Sequence, residues 1–134
     1  MNNEDKIRYL EIIQGIINRM ANNSHSIKGW LIAIITAGYI FIQGEFSWLV
    51  FLAFIVLVIL FALLDANYLF YERKYRKLYD IARAKENIDF SMKTDIPEIT
   101  EKCKYFSCLK SPSIFFPYIA LIVYLSLLFL NTLI

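Results

Sequence analysis

The residues best placed to do chemistry in this chain are four charges that flank apolar stretches: Arg19, Lys28, Asp65 and Glu72. A Lys– or Arg–carboxylate pair in a partly desolvated setting fixes the register of two helices, because separating it strands a charge without its counter-ion. Left in water, the same four residues are independent interface charges of little energetic weight. A second set, Gln14, Asn18, Asn22 and His25, recurs at helical spacing. Its amides and imidazole suit hydrogen bonds across helices or to a ligand, and a hydrated helix face is the simpler reading. His25 is the single histidine, so it builds neither a metal centre nor a triad. Cys103 and Cys108 have no second Cys or His pair beside them and read as two reduced thiols in a loop. The four glycines are scattered and form no phosphate loop. Without a nucleophile–base or carboxylate pair on a recognisable scaffold, no catalytic residue, metal or cofactor is expected, and the chain does not read as an enzyme.

The elements that must position these residues are dominated by apolarity. Hydrophobic residues make up 58% of the chain, and the net charge of +2 is too small to point to nucleic acid. Ser47–Leu64 and Ile114–Leu130 carry no charged side chain. At ~1.5 Å rise per residue, each approaches the ~30 Å hydrocarbon core of a bilayer. The expected fold is an all-α integral membrane domain of three transmembrane helices. An N-terminal amphipathic helix precedes them, and the second span has a long cytoplasmic extension.

Along the chain, residues 3–23 read as the amphipathic helix, with Asn3 as its cap. Ile7, Leu10, Ile13, Ile17 and Met20 form its stripe, widened by Ile12 and Ile16. Residues 24–43 form the first span; its apolar part, Gly29–Ile42, is short, and Lys28 reaches the headgroups by snorkelling, with Trp30 as interfacial aromatic. A tight turn at Gln43-Gly44-Glu45 makes a helical hairpin with span two, 46–64. No Gly or Pro interrupts Asp65–Glu86, so span two continues as helix to about residue 86. Residues 87–111 form a connector with one short helix, started by Thr94-Asp95-Ile96-Pro97-Glu98. Span three is 113–134, with Pro117 either as its first turn or as a mild kink. No cleavable signal peptide and no lipidation motif is expected.

Centring the hairpin near Gly44-Glu45 sets Arg19 opposite Phe70–Glu72, and His25 and Lys28 opposite Asp65. Arg19–Glu72 is the expected pair, with Asp65 shared by Arg19 or paired to Lys28. Gly29, Ala33 and Ala37 recur every four residues, a spacing that lets helices approach closely. Packing within the chain is the default use of that seam, and another copy is the alternative. Polarity inside the spans is confined mainly to Thr36, Tyr39, Tyr118, Tyr124 and Ser126, which argues against a transporter or selective channel. All 14 Lys and Arg fall on one side of the three-span arrangement. That side is cytoplasmic by the positive-inside rule, so the N-terminus is inside and the C-terminus outside.

Residues 13–24 (Ile13-Gln14-Gly15 through Asn22-Asn23-Ser24), followed by Lys28-Gly29-Trp30, resemble a widespread group of uncharacterised small bacterial membrane proteins. So do Leu64-Asp65-Ala66-Asn67-Tyr68-Leu69 with Glu72-Arg73, Leu78-Tyr79-Asp80 and Asp89-Phe90-Ser91-Met92. The resemblance is carried by an Arg-Met-x2-Asn-Ser-x3-Lys-Gly-Trp segment and a Leu-Asp-x2-Tyr-Leu-x2-Glu-Arg segment. It covers most of residues 10–92 and weakens over the last span. It implies a place in the bacterial inner membrane beside anti-phage or nucleotide-signalling modules, and transfers no activity. The function expected is a small membrane effector or accessory subunit that oligomerises and perturbs the bilayer. The alternative is a membrane anchor or scaffold without activity of its own. The partners expected are the lipid bilayer, further copies of the chain and a cytoplasmic signalling protein, with no nucleic acid.

Overall fold

The computed structural model describes residues 2–42, 45–87 and 89–134. Among them are five helices and no strand: α1 (Asn3–Phe41), α2 (Trp48–Ala84), α3 (Pro97–Thr100), α4 (Tyr105–Leu109) and α5 (Pro112–Leu133). Of the expected tight turn, Gln43 and Gly44 lie outside the described residues.

The amphipathic segment 3–23 and the first span as far as Phe41, separable by composition, form one uninterrupted helix of 39 residues. No proline falls between them, and Ser24, His25 and Ser26 carry no backbone restriction strong enough to break a helix held by packing on both sides. The cap lies one residue earlier than expected. Asn2 is extended and its side chain makes no capping bond, while its carbonyl accepts from Asp5 and Lys6. Glu4 and Asp5 occupy the first turn, where carboxylates favour the positive helix end.

α2 starts from Ser47, whose hydroxyl accepts from the Val50 amide at 3.4 Å. It then runs for 37 residues through the end of the apolar stretch at Leu64 without a break. At its far end the Lys6 ammonium donates to the carbonyls of Arg83 (3.1 Å) and Lys85 (2.9 Å). A cation thus meets the negative end of the helix and ties the start of α1 to the end of α2.

α1 and α2 pack antiparallel along most of their lengths. Two clusters form the core. Leu31, Ile35, Val58, Ala66, Ile114, Tyr118 and Leu125 join α1, α2 and α5 at one end. Tyr9, Ile13, Ile17, Leu78, Ala82 and Ile99 join α1, α2 and α3 at the other. The stripe of α1 is therefore centred on Tyr9, Ile13 and Ile17, while Ile7 and Ile12 of the expected stripe are exposed. Gly38 permits the closest approach of the hairpin: a Cβ there would come within 2.9 Å of the Phe54 ring.

The connector holds two short helices, where one was expected. α3 begins at Pro97 as its sequence implies; neither short helix has a side-chain capping bond at its start, and α4 rests on contacts with α2. α5 begins at Pro112, so Pro117 lies inside the helix and is not its first turn. α2 and α5 are the described helices long and apolar enough to cross a membrane; α1 is not, because its apolar half is short. Only 17% of the most apolar stretch of each is buried within the chain.

Candidate functional site

Asp65 is the focus of the molecule's polar interior. Its side chain is fully buried, and three helices deliver its partners. From α1, the Lys28 ammonium lies 2.5 Å from Oδ2 and the Ser24 hydroxyl donates to Oδ1. From α5, the Tyr118 hydroxyl lies 3.0 Å from Oδ2 and 3.3 Å from the Phe61 carbonyl. Ser24 and Lys28 are four residues apart on one helix, so they stand one turn above the other on the same face. The Lys28 ammonium also reaches the Ser24 hydroxyl (3.2 Å) and carbonyl (3.3 Å), so its three protons all have acceptors.

This arrangement is chemically closed. The two charges cancel, both carboxylate oxygens are engaged, and no buried side-chain polar atom among the described residues lacks a partner. A saturated carboxylate is neither a free base nor a nucleophile. The set is a three-helix clamp whose strength comes from low dielectric surroundings and from the cost of stranding either charge.

The other expected pair does not form. Arg19 is exposed, and Glu72 instead binds Arg76 one turn along α2, at 2.8 Å. Arg19 stands two residues beyond the buried Ile17, which rotates it by roughly 200° about the helix, away from α2. The line Gln14, Asn18, Asn22 and His25 lies on the exposed side of α1, where Gln14 donates to Asn18 at 3.2 Å. Gly29, Ala33 and Ala37 are exposed too, and nothing lies within 4 Å of a Cβ placed on Gly29. Their use as a packing seam inside the chain is overturned, because Ile27, Leu31 and Ile35 supply the buried face.

Two members of the clamp were not singled out as site residues by sequence reasoning. Ser24 lies within the Asn-Ser-x3-Lys segment at a fixed turn from Lys28. Tyr118 offered one signal: a hydroxyl in an otherwise apolar helix needs a partner.

A second polar tie holds the connector. The Lys74 ammonium is nearly buried, lies 2.7 Å from Asp95, and sits 4.8 Å from the centre of the Phe70 ring. Asp95 is largely exposed, so this pair is partly screened. The Tyr9 hydroxyl donates to the Ser91 carbonyl at 2.5 Å. Burial, and then the nearby Asp89 charge, raise the Tyr9 pKa above its ordinary value. The Arg73 guanidinium reaches the buried Cys108 sulfur at 3.6 Å. Burial pushes that thiol up, and Arg73 opposes the shift without cancelling it. Between Tyr9, the end of α2 and the connector lies a cavity of about 280 Å³, rimmed by Lys85, Asp89 and Lys93 over a floor that includes Leu78 and Ile96. Phe90 beside it holds a left-handed backbone, φ 39°. No group of three or more His, Cys, Asp or Glu residues able to hold a metal occurs among the described residues.

No family model, curated protein or solved structure matches the chain.

Proposed function

We propose that this chain is a small inner-membrane effector or accessory subunit of a bacterial defence or signalling system, acting by oligomerisation and perturbation of the bilayer. The observation that carries the membrane part is the exposure of the apolar helices. A core helix of a soluble protein is mostly buried, whereas α2 and α5 bury 17% of their most apolar stretches and expose Leu49, Val56, Leu60, Phe116, Val123 and Leu127. Because α1 lies antiparallel along α2, a membrane that takes α2 also takes the half of α1 carrying Trp30, Ile32 and Ile40, all exposed. That supports three spans, and the placement of all 14 Lys and Arg on one side of them supports an inside N-terminus and an outside C-terminus.

Oligomerisation is supported by the outward Gly29, Ala33 and Ala37, which leave α1 a smooth face toward lipid or another copy. The 280 Å³ cavity supports a cytoplasmic trigger, because it combines an apolar floor with a charged rim. The resemblance carried by the Asp65 and Lys28 segments supports the defence or signalling setting. The competing reading, an anchor or scaffold subunit, is favoured by one observation: the Asp65 clamp is saturated and does structural work alone.

Induced expression in a bacterial host with a membrane-potential dye tests the proposal. Depolarisation or growth arrest supports an effector. An unchanged potential at confirmed membrane expression supports the anchor reading.

A further inference from the structure

We infer that α4 and the first turn of α5 form an interfacial anchor that selects an anionic lipid leaflet. The inference rests on the membrane reading above and adds a lipid class and a depth to it.

α4 is too short to persist alone, and its seating is specific. Tyr105 turns inward and its hydroxyl donates to the Leu63 carbonyl of α2 at 2.8 Å, while its ring meets Phe70 edge to face at 6.0 Å. Cys108, three residues on, is fully buried. These contacts, with Arg73 against the Cys108 sulfur, set α4 beside α2 from the end of its apolar run at Leu64 to the turns just beyond it. With Tyr105 and Cys108 held inward, Phe106 is directed outward and is 76% exposed.

A phenyl ring so exposed is out of place against water, and its surroundings say what meets it. Phe115 and Phe116, at the start of α5, are exposed as well and continue into the apolar surface of that helix. Lys104 and Lys110, both exposed, flank α4 on either side. Aromatic rings between lysines, at the depth where a span leaves hydrocarbon, match the zone in which acyl chains give way to headgroups. The flanking ammonium groups complement a negative headgroup and are incompatible with a purely apolar cover. The occupant is therefore the anionic lipid leaflet on the connector side.

The test uses the full chain in nanodiscs. Phe106→Trp is made in a Trp30→Phe, Trp48→Phe background, which leaves the introduced indole as the single tryptophan. Chain-brominated phosphatidylglycerol or phosphatidylcholine is added as a minor component at equal mole fraction in unlabelled phosphatidylcholine. The expected result is a blue-shifted indole quenched by both lipids, and at least twofold more by phosphatidylglycerol. Lys104→Gln with Lys110→Gln should bring the two to equality. Equal quenching in the lysine-containing protein overturns the anionic preference. Water-like, unquenched emission overturns the anchor and leaves Phe106 for a protein partner. A parallel variant retaining Trp48 alone separates this failure from that of the membrane reading: if Trp48 is quenched and the introduced indole is not, the membrane reading stands and the anchor falls.

Discussion

Lys28 on α1 and Asp65 on α2 meet as an ion pair at 2.5 Å, with the carboxylate fully buried. The pair sits where the apolar half of α1 begins and the apolar run of α2 ends, so it locks the register of the hairpin. Removing Asp65 leaves an ammonium without its counter-charge, and removing Lys28 leaves a buried carboxylate facing only hydroxyl donors. Lys28→Ala should cost about 3–5 kcal/mol, and Asp65→Ala less, because the ammonium it strands is 22% exposed. The double variant should cost clearly less than their sum. Unfolding of the detergent-purified protein reads both quantities, and additivity would show that the charges do not interact.

Tyr118 is the side-chain link from α5 to that carboxylate. A hydrogen bond to a charged group contributes about 1.5–3 kcal/mol. Tyr118→Phe keeps the ring and its packing, so a loss of about 2 kcal/mol measures the hydroxyl. In an Asp65→Ala background the same substitution should cost far less, because its main acceptor is gone.

Arg19 and Glu72 should behave independently. Arg19 is exposed and Glu72 is held by Arg76, so Arg19→Ala should change stability by no more than about 0.5 kcal/mol. Its coupling to Glu72→Ala should be zero within about 0.5 kcal/mol, whereas Glu72 and Arg76 should show the few tenths of a kcal/mol usual for such helix neighbours. A double-mutant cycle on thermal unfolding gives both couplings.

The Tyr9 tie gives a pH dependence with a definite sign. Its pKa is raised in the folded chain by burial and by Asp89, so the folded state favours the neutral phenol. The resulting stabilisation is present below the ordinary tyrosine pKa of ~10 and is lost as pH rises through the higher folded value. Stability should therefore fall more steeply above about pH 10 in the parent protein than in Tyr9→Phe. Parallel stability curves for the two proteins would contradict it.

Much of this architecture is legible in the sequence, and the exceptions have physical causes. The apolar runs and the absence of Gly and Pro from Asp65–Glu86 disclose α2, and the long polar connector discloses the return to α5. Hairpin register brings Lys28 to the level of Asp65. Register along an axis does not fix rotation about it, and for that reason Arg19–Glu72 fails while Lys28–Asp65 forms. The same blindness placed Gly29, Ala33 and Ala37 at an internal seam: spacing of four identifies a face and leaves open which way it points. The site itself was half legible. Charges advertise themselves, but a hydroxyl such as Ser24 or Tyr118 acquires its role only when the fold brings a carboxylate to it. α4 was invisible because a five-residue helix has no periodicity of its own and is stabilised by the surface it rests on.

In the proposed three-span arrangement, α2, α5 and the apolar half of α1 lie in a bilayer with the connector inside. Paired alkaline phosphatase and green fluorescent protein fusions at Asn87 and after Ile134 test this arrangement in a bacterial host. Fluorescence without phosphatase activity at Asn87, and phosphatase activity without fluorescence after Ile134, is the expected result. Fusions that report the same compartment at both positions would mean that α5 does not cross the membrane, and the three-span arrangement would fall with it.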